Sequence, residues 1–184
     1  DQLDGLKLDW LVNNAGIQHV APLESFPNEA WHQIIAINLS AAFFATSEAL
    51  PVMRKNGWGR IINTSSAHGL VASVKKAAYV SAKHGIIGLT KVTALETAGS
   101  GITCNAICPG FVHTPLVQAQ VEARAQADGV DFKQAVVSLL GEKQPSGEFV
   151  SVEQIGGLVA YLCTPFADQI TGASLPIDGG WTAQ

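Results

Sequence analysis

At 184 residues, 47% hydrophobic and 14% charged, the chain has the length for one domain with a full-sized core. A net charge of −4 without any cluster of Lys or Arg argues against nucleic-acid binding, and no uninterrupted apolar run reaches the roughly 18 residues of a membrane span. The charged share lies below the roughly 25% usual in globular chains, so much of the surface is expected to be covered by a partner subunit or by further chain.

The opening stretch, DQLDGLKLDW, has no signal-peptide pattern. Leu8 to Val12 is a short apolar run closed by Asn13-Asn14-Ala15-Gly16, which predicts a strand running into a loop. Residues 25–57 predict one long helix, with Ser25 or Asn28 as its cap and Asn56-Gly57 as its stop. Arg60 to Ser66 starts as a continuous apolar run, the pattern of a strand buried on both faces. Helix is expected again from about Lys75 to Ala98, ended by Gly99-Ser100-Gly101, and then a third strand from Ile102 that Pro109-Gly110 breaks. Pro115 to Leu140, rich in Ala and Gln, reads as helical and mobile. Ser151 to Cys163 is a further helix entered through Ser151 and Glu153, and residues 173–180 close the chain as a last strand and turn. Cys104, Cys108 and Cys163 are too few for a disulfide framework; Cys104-x-x-x-Cys108 has half a metal-site spacing, but buried packing thiols are the reading adopted, with no metal and a reducing, cytoplasmic setting.

Strands alternating with helices of this length indicate an α/β domain, a Rossmann-type doubly wound parallel sheet with helices on both faces. In such sheets chemistry gathers at the carboxyl ends of the strands. Those ends carry Asn13–Gln18, Asn63–His68 and Cys108–Thr114, three polar clusters on one edge.

On the predicted helix, Lys76, Tyr79 and Lys83 are spaced i, i+3 and i+7, along one stripe. A tyrosine hydroxyl titrates near 10; neighbouring ammonium groups favour the phenolate, lower that value and suit Tyr79 to general acid/base work. The same three residues also suit a solvated helix face. Ser66, at the end of the preceding strand, can meet the stripe across the sheet edge and bind a substrate oxygen; alone it suits a turn cap, and Ser65 competes for the role. Asn38 is a poor residue for a helix interior, which points either to a local hydrogen bond or kink, or to a group that holds water behind the lysine.

Together these motifs resemble the short-chain dehydrogenase/reductase family: Asn13-Asn14-Ala15-Gly16, Asn38, Ser66, Tyr79-x-x-x-Lys83 and Pro109-Gly110-x-x-x-Thr114, in the family's order and spacing, down to Asp178-Gly179-Gly180. The resemblance implies that Tyr79 exchanges a proton with the substrate oxygen. Lys83 lowers the tyrosine pKa and holds the nicotinamide ribose, Ser66 orients the reacting oxygen, and Asn38 supports a water relay. It places Asn14, Ala15 and Gly16 beside the cofactor and wraps Pro109, Gly110, Val112 and Thr114 around its nicotinamide end. NAD as cofactor and a homotetrameric assembly are implied in the same way. The Gly-rich loop that seats the pyrophosphate in this family has no counterpart ahead of Leu8. The chain is therefore expected to be the carboxyl-terminal portion of a longer protein, with little activity by itself.

Four further polar residues point to the same mouth: Gln18, His68, Lys76 and Gln120. A cation with amide and imidazole donors is what a substrate carboxylate wants. The strings NNAGIQHVAPLESFP, SSAHGLVASVKKAAYVSAKHG, PGFVHTPLVQAQ, LLGEKQPSGEFV and DGGWTAQ resemble the branch of the family that acts on short 3-hydroxy acids. That resemblance implies that these four residues bind the carboxylate of a small-molecule substrate. It also implies that residues 115–150 form a lid and hinge, with Phe111, Leu139 or Leu140, and Trp181 as apolar walls. The alternatives are a 3-oxoacyl-thioester reductase, a sugar or polyol dehydrogenase, or a non-catalytic scaffold, against which the intact Asn38, Ser66, Tyr79 and Lys83 argue.

Overall fold

The computed structural model describes residues 7–183, so the first residues of the opening stretch lie outside it. Four strands, β1 (Trp10–Asn13), β2 (Gly59–Thr64), β3 (Ile102–Pro109) and β4 (Ser174–Ile177), form one parallel sheet in chain order. Register pairs Asn13 with Asn63, Thr64 with Ile107 and Pro109 with Ile177, so the carboxyl ends lie along one edge. Both faces of the central strands are covered: every residue of β3 is buried, the polar Thr103 and Asn105 included. Ile61 and Cys104 share one face with Ala49, Met53 and Ala94, while Ile62 and Ile107 pack on the other against Leu162 and Ala167.

The long helix predicted over 25–57 is observed as α1 (Asn28–Ile35), a five-residue π turn (Ala36–Ser40) and α2 (Ala41–Asn56). Its cap differs from the expectation: Pro27 occupies the N-cap, and neither Ser25 nor Asn28 caps through its side chain. The stop is as expected, with Gly57 at φ 67° and its N–H on Arg54 O. By length and a mean hydropathy of 1.4, residues 28–56 are apolar enough to cross a membrane; in this fold α2 lies against β1 and β2, with Ala42, Ala49 and Met53 buried.

α3 (Ala77–Thr97) covers β3 on the α2 face. The stretch read as helical from Pro115 to Leu140 is two helices packed on each other, α4 (Pro115–Asp128) and α5 (Phe132–Gly141), separated at Gly129 (φ 64°). α6 (Val152–Leu162) starts in a capping box in which Ser151 and Gln154 satisfy each other's backbone N–H. Cys104, Cys108 and Cys163 are buried free thiols, and burial pushes Cys104 up to about 12 and Cys108 to about 11. Beneath the carboxyl edge, Asn13 donates to Asn63 Oδ1 (2.8 Å) and Asn63 to Thr90 Oγ1 (2.9 Å). Those two asparagines belong to the scaffold rather than to the polar cluster the sequence suggested.

Candidate active site

Loops leaving all four strands surround a cavity of about 490 Å³. Of the residues expected there, Asn14, Gly16, Gln18, Ser66, His68, Lys76, Tyr79, Lys83, Pro109, Gly110, Val112, Thr114 and Gln120 all line it. Ala15 does not; it is exposed beside the loop. Asn38 stands behind the wall, 2% exposed.

Asn38 explains the π turn. Its Oδ1 accepts from Ile17 N and its Nδ2 donates to Ile17 O, both at 2.9 Å, so the amide clamps the loop after β1 through a paired contact. The water-holding role is therefore not what occupies most of this amide. One N–H and one oxygen lone pair remain. Both Asn38 Oδ1 and Lys83 Nζ lie 3.7 Å from where a Cβ on Gly16 would stand. The residue-16 side chain that is missing is thus the space between them.

Tyr79 and Lys83 share α3, one turn apart. Lys76 does not join their stripe: it is the N-cap of α3, following Lys75, whose φ of 63° halts the helix there. Lys75 O accepts from Ala21 N at 3.0 Å, which ties this strained turn to the loop after β1 and brings Lys76 to the mouth. Lys83, 3% exposed, donates to Thr64 O at 2.7 Å and lies 5.6 Å from the Tyr79 ring centre. Burial lowers its pKa to about 8. The expected depression of Tyr79 is not observed. Burial pushes the phenol up, and its hydrogen bond with Ser66 opposes that only in part. Ser66 also accepts from His68 N at 3.1 Å, capping the short turn Ala67–Gly69.

His68 is 4% exposed, edge-on to Tyr79 and Trp181, with Nε2 2.9 Å from Ser73 Oγ. Burial first, then Lys76 and Lys143, lowers its pKa to about 3. It meets a ligand as a neutral imidazole. Burial and then Lys143 also lower Lys76. Phe111 and Trp181 supply apolar wall as expected, whereas Leu139 and Leu140 pack behind them. Gly110 has no room for a side chain, since a Cβ would stand 2.5 Å from Gln144 Oε1.

Ser73, Thr64 and Lys143 escaped the sequence reading as individual residues: each lies inside a stretch already noted, but no spacing rule singles it out.

Residues 4–182 match a family whose profile is described as enoyl-(acyl carrier protein) reductase. Over 176 residues the chain is 61% identical to the D-beta-hydroxybutyrate dehydrogenase of Cupriavidus necator, covering 96% of this chain and 68% of that protein. The chain belongs to the short-chain dehydrogenase/reductase family. Among solved structures, the F189W actinorhodin polyketide ketoreductase with NADPH superposes with a TM-score of 0.89 at 34% identity, covering 96% of this chain and 68% of that one. A 4-hydroxyisoleucine dehydrogenase mutant complexed with NADH and succinate gives 0.88 at 32%, covering 100% and 72%. This short-chain dehydrogenase/reductase is accordingly an oxidoreductase on a Rossmann-like parallel sheet.

Proposed function

We propose that this chain carries the catalytic centre of an NAD-dependent dehydrogenase that interconverts (R)-3-hydroxybutyrate and acetoacetate. The observation that carries the reading is the meeting of Ser66, Tyr79 and Lys83 with Gln18, His68, Lys76 and Gln120 on one cavity. The relative at 61% identity bears the matching name.

The residues fit a nicotinamide cofactor. Lys83 commits one of its three N–H groups to Thr64 O, which leaves two for vicinal ribose hydroxyls. Gly16 and Gly110 offer backbone without side chains, and related structures hold NADPH or NADH. Bound there, the cofactor supplies hydride transfer. NAD rather than NADP follows the resemblance.

The chain's own residues handle the oxygen and its proton. Ser66 and Tyr79 hold the reacting oxygen between two hydroxyls. In reduction Tyr79 starts protonated, as its raised pKa favours, and donates directly. In oxidation the phenolate must form, and the Lys83 ammonium, still protonated at neutral pH, is the nearby charge that favours it. Asn38 offers its remaining N–H and lone pair to a water on the Lys83 side. Lys76, with neutral His68 and the amides of Gln18 and Gln120, receives the carboxylate. Residues 115–150 act as lid and hinge, α4 reaching the cavity through Val117 and Gln120 while Val112 pairs with Val150 at its base. A reducing, cytoplasmic setting and a homotetramer complete the reading, the first supported by free thiols and the second by exposed apolar helix faces.

The test is turnover by the full-length enzyme, followed by NADH absorbance over a panel of hydroxy acids, 3-oxoacyl thioesters and polyols. Lys76→Ala is expected to raise KM for 3-hydroxybutyrate roughly tenfold or more, the scale of one lost hydrogen bond to a charged group, with cofactor binding unchanged. An unchanged KM sinks the hydroxy-acid assignment. Val117, Val152 and Ile155 add apolar lining, so a 3-oxoacyl-thioester reductase is the second reading, and preference for thioesters in the panel favours it.

A further inference from the structure

Lys143 follows α5 at the start of the loop that leads back to Val150. Its N–H and that of Gln144 both close on Leu140 O, at 3.0 and 2.7 Å. Gln144, 1% exposed, accepts from Phe111 N through Oε1 at 2.8 Å and donates to Glu148 O, while Ser146 N donates to Gly179 O at 3.0 Å. The loop is thereby fastened to the two turns that carry Phe111 and Trp181, which holds Lys143 behind the Trp181 wall rather than among the residues that line the cavity. Its ammonium lies 6.0 Å from the Trp181 ring centre, and that ring is 5.0 Å from His68. The adjacent acid, Glu142, is ion-paired with Arg124, and Lys143 has no ion pair among the described residues. Its charge lowers the pKa of Glu142 and also reaches inward, disfavouring the protonated forms of both Lys76 and His68.

Two half-buried ammonium groups that repel each other across an aromatic wall are a cost to the ligand-free protein, and an anion between them relieves it. We propose that Lys143 is a second cation of the substrate-carboxylate site, carried by the hinge loop, and that with Lys76 it selects anionic alcohols over neutral ones of the same size. The inference rests on the hydroxy-acid reading and extends it to a specificity-determining residue. A lysine lying on a tryptophan also fills space with its stem, so the test must separate charge from packing.

Lys143→Met keeps the stem and removes the charge; Lys143→Arg keeps both. In the full-length enzyme, KM for 3-hydroxybutyrate and the calorimetric Kd of acetate, used as a bare carboxylate probe, are expected to rise roughly fivefold to twentyfold in Lys143→Met, the range for a unit charge acting through partly screened protein. KM for 2-butanol stays put, and Lys143→Arg restores the acid values. Kd and KM within twofold of the parent in Lys143→Met overturn the proposal, as does an arginine variant no better than methionine. If the parent enzyme prefers 2-butanol to 3-hydroxybutyrate, the hydroxy-acid reading falls and takes this selectivity with it; failure of the variants alone in an acid-selective enzyme sinks only the role of Lys143.

Discussion

His68 shows how burial converts a titratable residue into a fixed dipole. Enclosed by Tyr79, Trp181 and Ser73, it titrates at about 3 against an ordinary 6.5, so it stays neutral across physiological pH. Any help it gives a carboxylate is a hydrogen bond from one ring nitrogen, and Ser73 against Nε2 biases which nitrogen carries the proton. The shift is also a stability statement. Between about 6.5 and 3 the unfolded chain binds a proton at this residue that the folded chain refuses, so stability is lost as pH falls through that window. Lys83, depressed to about 8 from 10.5, has the same sign on the alkaline side: stability rises as pH climbs from about 8 toward 10.5. The two windows do not overlap. His68→Gln is therefore expected to flatten the acid limb of a urea-denaturation series while leaving the slope above pH 8 intact; parallel acid limbs for parent and variant would refute the burial account.

At the scale of elements, the amino ends of the strands depend on one tight approach. Gly101, at φ 78° between α3 and β3, brings its carbonyl to Gly59 N (3.3 Å) and to the buried Arg60 guanidinium (3.0 Å). A Cβ there would stand 2.2 Å from Gly57 O, a backbone atom of the turn between α2 and β2, itself left-handed at φ 67°. Gly99, at φ 76°, has open space around the same position. Gly99→Ala is expected to cost only the left-handed strain, about 1 kcal/mol, whereas Gly101→Ala adds the clash and should exceed about 3 kcal/mol. Equal losses on thermal melting would show that the close approach is unimportant. Elements marked by local chemistry were legible in this way: Asn56-Gly57 stopped α2, and the apolar run of β2 announced burial on both faces. What sequence missed depended on distant partners. Asn38 looked wrong for a helix, but the contact that makes the π turn useful is with Ile17, 21 positions away. Lys76 seemed to share a stripe with Tyr79 and Lys83, yet after the left-handed Lys75 the helix starts only at Ala77, one residue later than that required. Tyr79 was expected to be acidified by its lysines; burial, invisible in spacing, raises it instead, opposed only by the hydrogen bond with Ser66.

For the whole molecule, the low charge seen in the sequence reappears as apolar residues left on the outer faces of α2 and α3. Phe43 and Phe44 are 52% and 61% exposed on α2; Val92 and Leu95, one turn apart on α3, are 52% and 78% exposed. Both helices cover the same face of the sheet, and these four side chains are exposed on it away from the core. Burying a Phe or Leu contributes roughly 1.5–3 kcal/mol, so covering these four against a second copy would be favourable. The site residues lie at the carboxyl edge of the sheet, on loops and on the amino-terminal halves of α3 and α4, and none of these four lines the cavity. Assembly and chemistry are therefore separable by mutation. The double variant Phe44→Asp, Leu95→Asp is expected to lower the sedimentation coefficient of the full-length enzyme below that of the parent, because each carboxylate would have to be desolvated to form a contact there. Circular dichroism and acetate affinity should stay near the parent's, since α2 and α3 keep their buried faces. A variant that sediments with the parent would place these helices outside any subunit contact and return their exposed apolar side to the solvent or to further chain.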